Sequence, residues 1–134
     1  MSSASIQTLV ARASTALERG RGPEAAQLLA PTLRSSNLSR EDELSVRAAL
    51  AEAWLLQDDV RRATEALGPP PEGRERLDPA RLSDLWRLHG RLAVARGEPS
   101  RGVAFLTKAL NQADRAPESR AIGLVHSELG LCYR

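Results

Sequence analysis

The sequence predicts an all-α fold of seven short antiparallel helices. Apolar residues recur at three- and four-residue intervals along most of the chain. Glycines and prolines break these runs where helices end and begin. The core must be built from small and straight-chain side chains, because 42% of the 134 residues are hydrophobic but only 3% are aromatic. Ala and Leu of this kind favour helices, and the few β-branched and aromatic residues leave a sheet little to pack with. Residues 1–134 are long enough for one helical domain with a core, whether whole or part of a longer chain.

Ile6, Leu9, Val10, Ala13, Ala16 and Leu17 mark the first helix, which Gly20 and Gly22 stop. Pro23 suits the opening turn of the second, where its missing N–H is no loss. This helix is expected to bury Ala26, Leu29 and Leu33 and to fade at Ser35-Ser36-Asn37. Ser39, with Asp42 three residues on, approximates a capping box for the third helix. That helix is expected to bury Leu44, Ala48, Ala51, Trp54 and Leu55. Asp58-Asp59 starts a fourth through Val60, Ala63, Ala66 and Leu67. Residues 68–73, Gly-Pro-Pro-Pro-Glu-Gly, cannot be helical and predict an exposed loop. Asp78-Pro79 reads as an N-cap followed by proline at the first helical position. Leu82, Leu85, Trp86, Leu88, Leu92 and Ala93 then form the fifth helix, ended by Gly97. Pro99 opens a sixth with Val103, Leu106, Ala109 and Leu110, and Pro117 a seventh that runs to Arg134.

The charge excludes several functions. Nineteen basic residues oppose 17 acidic ones, interleaved rather than clustered, so no nucleic-acid partner is expected. No apolar run reaches the length of a membrane span, and the start lacks the pattern of a signal peptide. With a single cysteine, Cys132, the expectation is a cytoplasmic protein. Catalytic groups are not apparent. His89 and His126 are the only histidines, and Cys132 lies six positions past His126, on another helix face. Neither a metal site nor a Cys–His pair follows, so no cofactor and no enzyme activity are expected. Glu41-Asp42-Glu43 falls in a first helical turn, where acids complement the helix dipole. The tryptophans read as core wedges and the histidines as surface or half-buried groups.

Self-alignment shows a repeat. Ala13, Gly20, Ala25 and Leu29 correspond to Ala51, Asp58, Ala63 and Leu67, and then to Gly90, Gly97, Gly102 and Leu106. The leading small residues are 38 and 39 positions apart, and a partial fourth unit begins 40 later at Gly130. With Trp86 and Ala109, the third unit resembles the large-small-turn-small-large-small pattern of tetratricopeptide repeats, and Leu129, Gly130 and Tyr133 extend it. The family's usual period is about 34 residues, shorter than these units. His89 also stands where the family usually has leucine.

The resemblance implies helical hairpins stacked as a right-handed α-solenoid, about three and a half repeats long. It also implies a groove lined by the first helix of each unit, which takes a peptide or protein partner. By position this groove would use Val10, Ser14 and Leu17, then Ala48, Glu52 and Leu55. Asp84, Arg87, Arg91 and Val94 follow, then Leu124, Ser127 and Leu131. Arg87 and Arg91 are four apart on one helix face, where like charges invite an external carboxylate or the nearby Asp84. The Lys and Asn carboxylate clamp of the family's chaperone-binding members is missing from these positions. The expected function is an adaptor or scaffold. The alternatives are a regulatory or sensor segment of a larger signalling or transcription protein, and self-association through the last helix, which carries Leu124 and Leu131.

Overall fold

A computed structural model describes residues 3–34, 37–71 and 77–114. The described residues hold six α-helices and no strand. The helices are α1 (Ser3–Glu18), α2 (Gly22–Leu33), α3 (Arg40–Leu56), α4 (Val60–Leu67), α5 (Pro79–Ala95) and α6 (Pro99–Ala113). The expected seventh helix lies outside the described residues. The chain divides at Gly68–Pro69 into two units, residues 1–68 and 69–134.

In the first unit each helix packs on its successor, and α1 also packs on α3. The third helix is therefore covered from more than one side. Leu44, Val46, Ala49, Leu50, Ala51 and Ala53 are all buried, whereas Ala48, Trp54 and Leu55 are half-buried. Periodicity alone marks a single face, so the burial of Val46, Ala49, Leu50 and Ala53 is not apparent from the sequence. On α2, Thr32 is buried and the expected Leu33 only half-buried. Pro31 lies inside α2, near its end, where it leaves the Gln27 carbonyl without its usual i+4 donor.

Side chains fix the helix starts. Ser39 Oγ accepts from the Asp42 N–H at 3.1 Å, Asp59 Oδ1 from the Arg62 N–H at 3.1 Å, and Asp78 Oδ1 from the Arg81 N–H at 3.0 Å. Each satisfies an amide that the helix leaves without a partner. Asp42 does more than complement a dipole. It is 4% exposed, and its carboxylate accepts from Gln7 Nε2 of α1 at 3.5 Å.

The three hairpins share one turn. Gly20, Asp58 and Gly97 are left-handed, with φ of +73°, +58° and +78°. Each donates its N–H three residues back, to Leu17, Leu55 and Val94, at 3.0 Å. The next residue donates five back: Arg21 to Ala16 at 2.8 Å, Asp59 to Trp54 and Glu98 to Ala93, both at 2.9 Å. This is the Schellman closure, which satisfies the last carbonyls of the first helix. The same three residues then start the second helix, accepting from Ala25, Ala63 and Gly102 at 3.0–3.2 Å.

Burial holds the hairpins shut. Ala13, Ala25, Leu29, Ala51, Ala63 and Leu106 are fully buried, and Leu67 is 2% exposed. A buried Leu contributes roughly 1.5–3 kcal/mol. Exposed ion pairs such as Arg61–Glu65 at 3.5 Å and Arg21–Glu24 at 3.6 Å contribute roughly 0.5 kcal/mol or less. Close approach needs glycine. A Cβ on Gly90 of α5 would lie 2.6 Å from Leu106 Cγ of α6. One on Gly22 of α2 would lie 2.9 Å from the Ala53 carbonyl oxygen of α3. Gly22, expected only to stop a helix, is thus also a contact between helices. A buried hydrogen bond from Ser83 Oγ to the Ala109 carbonyl, 2.9 Å, further ties α5 to α6.

Candidate functional site

The positions assigned to a groove lie on the first helix of each hairpin. In the first unit, Val10 and Leu17 of α1 and Ala48, Glu52 and Leu55 of α3 are half-buried, and Ser14 is exposed. None of the six is core, and only Ser14 is exposed. In the second unit Asp84 is exposed, and Arg91 and Val94 are half-buried. Leu124, Ser127 and Leu131 fall outside the described residues.

Arg87 departs from the expectation of an open position: it is 9% exposed. The buried set on α5 runs nearly all round the helix, through Ser83, Leu85, Leu88, His89, Gly90, Leu92 and Ala93, so position 87 does not face open solvent. Its long aliphatic stem is suited to such cover. Its guanidinium Nε stands 3.9 Å from Asp84 Oδ1, one turn earlier. Arg91, half-buried, is the more accessible of the two arginines.

An aromatic group not anticipated from the sequence joins α5 to α6. Trp86 stacks on Phe105 with ring centroids 5.7 Å apart and planes 21° from parallel. His89 tilts against both rings, at 6.3 Å and 5.8 Å. Lys108 Nζ sits 4.6 Å above Trp86, and the Arg101 guanidinium 5.6 Å from the Phe105 ring. His89 is 5% exposed, deeper than the surface or half-buried position expected. Burial, with the nearby positive charge of Arg96, lowers its pKa to about 4. The imidazole is thus neutral near pH 7 and serves as a packing group. Trp54, half-buried on α3, carries the Arg62 guanidinium 4.8 Å from its ring centroid. Single aromatics in a helical repeat read as wedges, and their mutual contacts across two helices leave no periodic signal.

Among the described residues, no group of three or more His, Cys, Asp or Glu is placed to hold a metal ion. Nor is any helix there long and apolar enough to cross a membrane. No family model, curated protein or solved structure matches the chain.

Proposed function

We propose that the chain is a tetratricopeptide-like interaction module that binds a polypeptide on the first-helix faces of its hairpins. The observation that carries this reading is the threefold recurrence of one Schellman turn at Gly20, Asp58 and Gly97, each flanked by buried small residues. A hairpin repeated in one register presents its first helices in equivalent settings, which is how repeat proteins build extended binding surfaces. The packing of α1 on both α2 and α3 supports the same reading. Within each unit the half-buried positions pair an apolar with a charged side chain, Leu55 with Glu52 in the first and Val94 with Arg91 in the second. This composition suits a mixed-sequence peptide better than an anionic polymer. An adaptor or scaffold needs no more chemistry than this.

Site-specific photocrosslinking tests the proposal. A photoreactive residue at Glu52 or Val94 is expected to capture one defined polypeptide, and one at Arg61 on the outside of α4 none. Equal capture at all three positions would contradict a binding face. Recovery of the chain itself would instead indicate self-association.

A further inference from the structure

We infer a second binding site, at the turn between α1 and α2, that takes a phosphate dianion, free or as a monoester. A hollow of about 210 Å³ there is lined by Arg12, Thr15, Ala16, Arg19, Arg21 and Glu24. Arg12 and Arg19 are seven apart, two turns of α1, so their side chains leave the same side of the helix. The Schellman turn bends the chain back and brings Arg21 beside them. Glu24 is the single acid in the lining, and it is engaged by Arg21 at 3.6 Å, both side chains being more than half exposed. The lining therefore carries three cations and one anion, a net charge matched by a dianion.

The chemistry favours phosphate. Guanidinium forks present paired N–H donors whose geometry fits carboxylate and phosphate oxygens. Three arginines lining one hollow offer more N–H donors than a planar carboxylate can accept, and a tetrahedral group with several equivalent oxygens can use more of them. The Thr15 hydroxyl donates to the Ala11 carbonyl at 3.1 Å, so the arginines supply the donors. Ala16, 6% exposed, forms an apolar floor. The site is also independent of the proposed groove. Along α1, Arg12, Thr15 and Arg19 lie nearly opposite Val10, Ser14 and Leu17 at about 100° per residue. A ligand can therefore occupy this hollow without touching the first-helix face.

Titration followed by NMR on the arginine Nε–Hε signals tests the site, at constant low ionic strength. The probes are inorganic phosphate, O-phosphoserine, dimethyl phosphate and acetate. Saturable shifts of Arg12, Arg19 and Arg21 with phosphate and phosphoserine are expected, and weaker effects with the two monoanions. Tighter binding of phosphoserine than of inorganic phosphate would place the source on a phosphorylated protein, and the reverse would point to free phosphate; either supports the site. The paired variant R12Q/R19Q, at exposed positions, should weaken binding at least about tenfold. Circular dichroism of that variant should match the parent. Acetate shifting the same signals as strongly as phosphate would overturn the proposal. So would unsaturable shifts, or unchanged phosphate affinity in R12Q/R19Q. A groove variant such as Leu55→Glu should leave phosphate binding intact, which separates this site from the polypeptide-binding reading.

Discussion

At the scale of single residues, three left-handed positions and one buried imidazole separate what a sequence discloses from what it hides. Gly20 and Gly97 announce their turns, since glycine adopts positive φ without strain. Asp58 makes the same turn at +58° with a side chain attached, and only alignment with the other two reveals it. Asp58→Gly should therefore stabilise the protein by about 0.5–1 kcal/mol, and Gly97→Ala should destabilise it by a similar amount. Denaturant midpoints of the two variants check this pair. His89 shows what spacing conceals. Its position corresponds to Leu50 one repeat earlier, which is also buried, yet nothing in the local pattern marks a histidine as core. With its folded pKa lowered from 6.5 to about 4, the unfolded chain takes up the proton more readily. Stability is full above pH 6.5 and declines as the pH falls toward 4, by about 3 kcal/mol in all. His89→Leu, which copies Leu50, should flatten this part of the curve of melting temperature against pH.

At the scale of helices, most boundaries were legible because capping and turn chemistry is local. Ser39, Asp59 and Asp78 cap where the sequence places them, and α4 ends at Leu67, before the prolines. Burial was less legible. Helix α3 has neighbours on several sides, and a single-face reading finds Leu44 and Ala51 but passes over Val46 and Leu50. The burial of Arg87 was hidden for the same reason, as α5 is buried over much of its circumference. The close contacts give a paired test. Gly90→Ala drives a methyl into Leu106, and Gly22→Ala drives one against a backbone carbonyl. Each should destabilise by about 1–3 kcal/mol, although Ala is intrinsically the better helix former. Trimming Leu106 to Val should recover part of the Gly90→Ala loss, because the obstacle is a side chain. The carbonyl facing Gly22 offers no comparable relief. Chemical denaturation of the single and double variants distinguishes the two cases.

At the scale of the whole molecule, the division at Gly68–Pro69 coincides with the proline-rich stretch that the sequence marks as non-helical. Residues 1–68 contain two complete hairpins with their own buried set, from Ile6 through Leu29 and Leu50 to Leu67. A chain ending at Gly68 should keep its helical circular dichroism and melt cooperatively, though at reduced stability, since small domains bury a smaller share of their surface. The candidate site was legible only in outline. Repeat alignment chose Glu52, Leu55, Arg91 and Val94, which the structure leaves half-buried, but spacing could not distinguish Arg91 from the buried Arg87. The most direct test of polypeptide binding is the affinity of the crosslinked partner, measured by fluorescence anisotropy, for Leu55→Glu, Arg91→Glu and a control, Arg61→Glu. The first two should each weaken binding by about tenfold or more while melting like the parent, and the control should bind unchanged. Equal affinity for all three would contradict the first-helix face as the binding surface.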